Sequence, residues 1–153
     1  LLVVQTFSKS RSMAGVRIGY AMGNPALIEA MENVRYSYNS YTMNLPSQIL
    51  GAEVVKDQEY FSQTVEKIRK TREETKHWMR KLGFSFPDSQ ANFLFASHEK
   101  LDAFTLFRAL KQEQIFVRYF QKPRLERFLR ITIGTDQEME VLKQFLEKYI
   151  RQV

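Results

Sequence analysis

From Phe61 to Leu82 the chain repeats a residue suited to one helix face every three or four positions: Phe61, Val65, Ile68, Arg72, Thr75, Met79 and Leu82. That is the period of an α-helix with one covered side, and Gly83 supplies its C-terminal stop. A helix this long separates two stretches of different character. After it, the pattern predicts strands at Phe84–Phe86, Ala91–Ala96, Ile115–Tyr119 and Phe128–Ile133, with helices at Leu101–Gln112 and Asp136–Val153, the last capped by Thr135 or Asp136. Strands alternating with helices argue for an α/β or α+β architecture. The expected domain boundary lies near residues 57–60, with 1–58 as the tail of one domain and 59–153 as a smaller compact one.

The first stretch opens on Leu1-Leu2-Val3-Val4, a continuous apolar run that reads as a strand buried on both faces. Such a strand needs neighbours on both sides, so the expectation is that they come from sequence outside this chain and that the chain is part of a longer one. A Ser-rich loop, Phe7–Gly15, and a second apolar stretch, Ile18–Met22, follow. Asn24 and Pro25 suit the cap and first turn of a helix carrying Leu27, Ile28 and Met31, expected to fade near Val34. Arg35–Asn44, with Tyr36, Tyr38 and Tyr41, is expected to be a loop. Asn44 can cap a helix starting at Leu45-Pro46, and Asp57 starts a separate helix or a kink.

Composition narrows the function classes. At 44% hydrophobic and 13% aromatic the chain can bury a core. No run approaches the ~18 apolar residues of a membrane span, so no membrane partner is expected. The first residues do not make a secretory signal pattern, which leaves the cytosol as the default compartment. With no cysteine, disulfides, thiol nucleophiles and thiolate metal sites are excluded. His77 and His98 lack partner spacing and read as surface residues, and no metal constellation is visible. The net charge of +6 could draw nucleic acid or a phosphorylated metabolite. Much of the excess lies in Glu66–Lys81, however, where both signs mingle at helical spacing. That reads as an exposed, self-pairing helix face, and nucleic acid is not the expected partner.

The densest chemistry lies in Thr6-Phe7-Ser8-Lys9 and Ala14-Gly15-Val16-Arg17, on a loop that follows a strand. A lysine that forms a Schiff base needs shelter or cationic neighbours so that its amine can lose its proton, and Arg11 and Arg17 are near in sequence. The hydroxyls of Thr6 and Ser8 with the guanidinium of Arg17 would make a cage for a phosphate. Spacing alone equally admits a solvated surface loop. These residues resemble the signature of fold-type I pyridoxal-phosphate aminotransferases, in Thr6-Phe7-Ser8-Lys9 and in Gly15-Val16-Arg17-Ile18-Gly19-Tyr20. The resemblance implies that Lys9 is the catalytic residue and carries pyridoxal 5'-phosphate covalently. It implies that Arg17, Ser8 and, less closely matched, Thr6 hold the cofactor phosphate.

A second cluster is Val117-Arg118 with Leu129-Arg130-Ile131-Thr132-Ile133-Gly134-Thr135. An arginine within an apolar strand is costly unless it meets an anion, so Arg130 is expected to have a carboxylate or phosphate partner. An ion pair with a carboxylate such as Glu113 is the structural alternative. The resemblance assigns Arg130 to the substrate carboxylate. A Val-Arg pair at the spacing of Arg118 is similar to histidinol-phosphate aminotransferases, where that arginine meets the substrate phosphate. Asn92 matches a recurrent family position facing the substrate, and a structural role at a strand end fits it equally.

The resemblance covers the whole chain but less than half of such an enzyme. It implies an α/β chain made of the tail of the cofactor-binding large domain and the α+β small C-terminal domain. It implies a homodimeric parent whose partners are an amino acid or amino-alcohol phosphate and a 2-oxo acid. The chain alone is expected to be inactive. The rival readings are an aromatic or other class I/II aminotransferase, and a non-catalytic module that kept the fold.

Overall fold

The computed structural model describes residues 1–152 and divides into two compact units, Leu1–Val65 and Glu66–Val153.

In the first unit β1 (Leu2–Thr6) and β2 (Gly19–Gly23) form an antiparallel hairpin, with Leu2 opposite Gly23 and Thr6 opposite Gly19. The further neighbours expected for β1 were to come from sequence outside this chain. Among the described residues β2 is its only strand partner, and Val3 to Thr6 are exposed. Helix α1 (Pro25–Tyr38) starts where Asn24 accepts a hydrogen bond from the Ala26 N–H through its side chain. It runs past Val34 to Tyr38, correcting the expected loop at Arg35. The pairing of Arg35 with Glu32 and the Asn39 N–H donating to the Arg35 carbonyl carry the last turn. Helix α2 (Leu45–Lys56) begins at Asn44, whose side chain accepts from the Ser47 N–H at 2.8 Å. Gly51 sits where an added Cβ would come within 2.8 Å of Ile18 Cδ1, so α2 lies close against the return arm of the hairpin. Phe7, Met13 and Ile18 form a small core there, with Val16, Met43 and Val54 packed around it.

Helix α3 (Gln58–Lys81) is the long helix expected from the stripe. It ends at Gly83, whose φ of +87° favours glycine; a Cβ there would meet His98 Nε2 at 2.8 Å. The rest of the second unit is one antiparallel sheet, β3 (Phe84–Ser85), β4 (Phe93–His98), β6 (Leu129–Thr132) and β5 (Arg118–Tyr119), in the order β3-β4-β6-β5. Helices α4 (Ala103–Gln112) and α5 (Asp136–Ile150) complete it. Period-two alternation sends Leu94, Ala96, Leu129 and Ile131 into the core with Met79, Leu106, Leu110, Leu142 and Leu146. The same alternation places Phe93, Phe95, Arg130 and Thr132 on the opposite face. Strand β5 covers only two of the five residues expected. Gln114 adopts φ +59° and the Ile115 N–H caps the Leu110 carbonyl, so the chain is still closing α4 where the strand was expected to begin.

The basic face of α3 is only partly solvated. Arg72 and Lys76 are buried. Arg72 donates to the Ala91 carbonyl, the Gln90 side chain and Glu73, while Lys76 donates to Asp88 at 2.8 Å and Glu73 at 2.9 Å. Burial works against the Lys76 charge, but the hydrogen bonds to Asp88 and Glu73 outweigh it and leave its pKa raised.

Candidate active site

The hairpin puts the start of the lysine loop and the turn at Arg17 at the same end of β1 and β2. Beyond the Thr6–Gly19 pair, the Phe7 N–H donates to the Ile18 carbonyl at 3.1 Å, and the Thr6 hydroxyl reaches that carbonyl at 3.3 Å. The ladder ends there: the Phe7 carbonyl accepts from the Arg11 and Met13 N–H groups, so Ser8 and Lys9 leave in a turn at the same end of the hairpin from which Arg17 leads into β2. The Thr6 hydroxyl donates to Ser8 Oγ at 2.8 Å and accepts from the Ser8 N–H at 3.1 Å, so the two hydroxyls are adjacent.

Arg17 has left-handed backbone angles, φ 61° and ψ 44°. For a residue with a Cβ that costs on the order of 1–3 kcal/mol and persists only when neighbours enforce it. They do so here: Val16 closes a 3₁₀ turn onto the Met13 carbonyl, and buried Ser47 donates its hydroxyl to the Val16 carbonyl at 3.1 Å. Arg17 is exposed, and its Nη1 donates to the Ala14 carbonyl at 2.8 Å. Its other guanidinium nitrogens have no protein partner among the described residues.

Lys9 is exposed, and the described residues do not provide the shelter expected for it. The core beneath the loop is limited to Phe7, Met13 and Ile18. Arg11 does not serve as a cationic neighbour aimed at Lys9. Its Nη1 donates to the Val54 carbonyl at 2.7 Å, and its guanidinium stacks 4.1 Å from the centre of the Phe61 ring.

In the second unit Arg118 and Arg130 are direct partners across β5 and β6, and Phe95 is the partner of Arg130 across β4. Residues directly opposite in an antiparallel pair share a face, so Phe95, Arg130 and Arg118 stand in one row. Alternation takes Leu129 and Ile131 into the core and leaves Arg130 exposed, so its apolar flanks do not enclose it. No carboxylate pairs with it among the described residues. Its guanidinium lies 5.4 Å from the Phe93 ring centre, and that of Arg118 lies 5.5 Å from Phe120. Phe95 stacks on Phe128 at 4.6 Å and meets Phe120 edge-on at 6.4 Å. Two like charges directly opposite one another destabilise a sheet, so this row favours an anion that lies over both. Asn92 is half-buried, and its carbonyl accepts from the Ile133 N–H at 2.9 Å, which prolongs the ladder and gives it a backbone role.

Comparison with known proteins agrees with this reading of the fold. The family model for aminotransferase class I and II matches residues 1–146. The chain belongs to the class I and II aminotransferases. It is 51% identical over 148 residues to the histidinol-phosphate aminotransferase of Brachyspira hyodysenteriae, covering 97% of this chain and 41% of that protein. It is 46% identical over 151 residues to the corresponding enzyme of Lactococcus lactis subsp. cremoris, covering 99% and 42%. The chain thus spans about two fifths of the length of these relatives. Among solved structures, the histidinol-phosphate aminotransferase of Clostridium acetobutylicum superposes with a TM-score of 0.88 over 100% of this chain and 46% of its own, at 22% identity. That of Sinorhizobium meliloti, in complex with pyridoxal-5'-phosphate, gives 0.79 at 27% identity over 99% and 41%.

For an aminotransferase the donor set of the lysine loop has suitable chemistry. A primary amine, two adjacent hydroxyls and a guanidinium with free N–H groups can take up an aldehyde and a phosphate. The supporting residues were less visible in the sequence. Ser47 reads only as an early helix residue, although it holds the turn before Arg17. His98 reads as a surface residue, yet its Nδ1 accepts from the Lys100 N–H at 3.1 Å while Nε2 lies 3.0 Å from the Leu82 carbonyl. With Nδ1 accepting, the proton belongs on Nε2, which closes the end of α3. Among the described residues no group of acidic or histidine side chains could hold a metal, and no helix is long and apolar enough to cross a membrane.

Proposed function

We propose that the full-length protein is a pyridoxal-phosphate aminotransferase that takes histidinol phosphate as amino donor and 2-oxoglutarate as acceptor, with Lys9 as its catalytic residue. The observation that supports this reading is that the hairpin has the Lys9 loop and the Arg17 turn at one end, with the Thr6 and Ser8 hydroxyls adjacent. Bound pyridoxal phosphate would supply the electron sink for cleavage of the Cα–H bond. Lys9 would hold the cofactor, and its Nζ, when free, would carry the proton. Arg17 and Ser8 hold the cofactor phosphate, with Thr6 orienting the Ser8 hydroxyl.

The choice of donor rests on the paired arginines and on the names of the relatives at 46–51% identity. Arg118 and Arg130 on one sheet face suit a doubly charged phosphate. Histidinol phosphate has no carboxylate, so in its half-reaction both arginines face the phosphate. In the 2-oxoglutarate half-reaction Arg130 holds a carboxylate, to which a planar guanidinium can offer two parallel hydrogen bonds. Asn92 supports the substrate side of this strand end. The reading extends to a homodimer in the cytoplasm, and the 153-residue chain alone is inactive.

The test is borohydride reduction of the full-length holoprotein followed by peptide mass spectrometry. The reduced cofactor is expected on Lys9, and an adduct on another lysine refutes the assignment. Turnover of histidinol phosphate against phenylalanine then separates this reading from an aromatic aminotransferase.

A further inference from the structure

The loop that carries Lys9 has few restraints of its own. The Arg11 and Met13 N–H groups donate to the Phe7 carbonyl at 3.3 and 3.1 Å, and the Ser12 N–H donates to the Lys9 carbonyl at 3.2 Å. Ser12 adopts φ 57°, and only Phe7 and Met13 at the loop's ends are buried. Beyond the packing of Phe7 and Met13 with Met43 and Val54, Arg11 ties this loop to regular structure through its side chain. It reaches 43 residues along the chain to the Val54 carbonyl at 2.7 Å, and its guanidinium covers the Phe61 ring at 4.1 Å.

Val54 lies in the last turn of α2, where carbonyls lack a helical donor and a positive charge is favoured. Phe61 lies in the first turns of α3. A planar guanidinium can donate in its plane to a carbonyl while its face stacks on a ring; an ammonium group cannot do both. Arg11 therefore pins the loop to the junction of α2 and α3, two residues from Lys9.

We propose that Arg11 is a positioning residue for Lys9: by capping Val54 and stacking on Phe61 it fixes the loop that presents the Lys9 amine. This rests on the reading of Lys9 as the cofactor lysine. Arg11 acts through geometry, its guanidinium being taken up by the Val54 carbonyl and the Phe61 ring.

The test uses the full-length holoprotein with Arg11→Met, which keeps an apolar stem for Phe61 but cannot cap Val54. Amide exchange at Ser12 and Met13 is expected to speed up about tenfold, and kcat to fall about tenfold with KM for the amino donor changed by less than about twofold. Arg11→Gln keeps a neutral donor for the Val54 carbonyl and should recover most of kcat; Arg11→Lys, which keeps the charge, should recover less. Unchanged exchange and kcat in Arg11→Met overturn the proposal. So does full rescue by lysine, whose ammonium cannot both cap Val54 and stack on Phe61. If Arg11→Met does not fold, the order of glutamine and lysine decides the matter alone. Borohydride labelling separates the two readings: cofactor on Lys9 with unchanged exchange sinks only the role of Arg11. Absence of cofactor from Lys9 sinks the lysine assignment and, with it, any catalytic purpose of the hold.

Discussion

The backbone N–H of Phe7 donates to the carbonyl of Ile18 at 3.1 Å, one step beyond the last pair of the β1–β2 hairpin. That bond joins the two strand ends from which the lysine loop and the Arg17 turn depart. In the full-length protein Arg17→Ala should therefore weaken retention of the cofactor. Loss of a charge-assisted contact of about 1.5–3 kcal/mol corresponds to roughly ten- to a hundredfold in affinity. Cofactor release followed by absorbance during dialysis measures it, and unchanged retention would remove Arg17 from the phosphate site.

The turn before Arg17 depends on Ser47, whose buried hydroxyl donates to the Val16 carbonyl. Ser47→Ala leaves that carbonyl without this partner and should cost about 1–3 kcal/mol of stability. Urea unfolding of the wild-type and variant proteins checks it; equal midpoints would mean that the turn holds without this bond.

What the sequence disclosed and what it hid follow a physical line. The starts of α2 and α5 were legible because caps are local. Asn44 accepts from the Ser47 N–H, and Thr135 with Glu138 forms a reciprocal capping box. The inward stripe of α3 was legible for the same reason. Register was hidden, since which residue of β2 faces Thr6 depends on a bond between segments that no local pattern encodes. The burial of Lys76 was hidden too. Its position on α3 looks like a solvated face until Asp88 folds back over it, whereas Arg72 already stood on the covered stripe and only its partners Gln90 and Ala91 were not visible. Arg130 misled in the opposite sense, because its apolar neighbours Leu129 and Ile131 belong to the other face of the strand.

The second unit should be sensitive to acid. The Lys76 and Arg72 hydrogen bonds hold the Glu73 carboxyl below its ordinary pKa, and Lys76 does the same for Asp88. Donation from the Thr105 hydroxyl and N–H lowers Asp102, and the Thr135 N–H and hydroxyl lower Glu138. Groups with depressed folded pKa values stabilise fully above the unfolded carboxylate range, about pH 4, and lose that contribution as pH falls through their folded values. Lys76 is shifted upward, so its contribution is present below the ordinary lysine range and is lost only as pH rises through its folded value. Stability should thus fall below about pH 4 and again above about pH 10. Asp88→Asn should flatten part of the acid limb. Urea midpoints measured against pH decide this, and an unchanged acid limb in the variant would count against the Lys76–Asp88 pair.

Gly83 offers a test confined to the fold. At φ +87°, with a Cβ due within 2.8 Å of His98 Nε2, Gly83→Ala combines left-handed strain with a clash at the imidazole that closes α3. A loss of about 1–3 kcal/mol is expected, read from thermal or urea unfolding. A variant as stable as wild type would show that the end of α3 can relax without cost.

Arg118 and Arg130 give the sharpest separation of substrate readings, because they stand directly opposite each other on one sheet face. Without an anion over them the two charges repel. Replacing either by a neutral residue should leave the second unit equally stable or raise its stability by about 0.2–1 kcal/mol. In the full-length enzyme the same substitutions should be harmful. Arg118→Ala should reduce kcat/KM for histidinol phosphate by roughly ten- to a hundredfold and affect phenylalanine far less, since only the former carries a phosphate. Arg130→Ala should impair both donors, and the 2-oxoglutarate half-reaction as well, because it removes the carboxylate clamp. A stability gain joined to a donor-selective activity loss is what an anion site produces; a purely structural arginine would lower stability and spare selectivity. Equal losses for the two donors in Arg118→Ala would reject a phosphate-specific role and favour an aromatic amino donor.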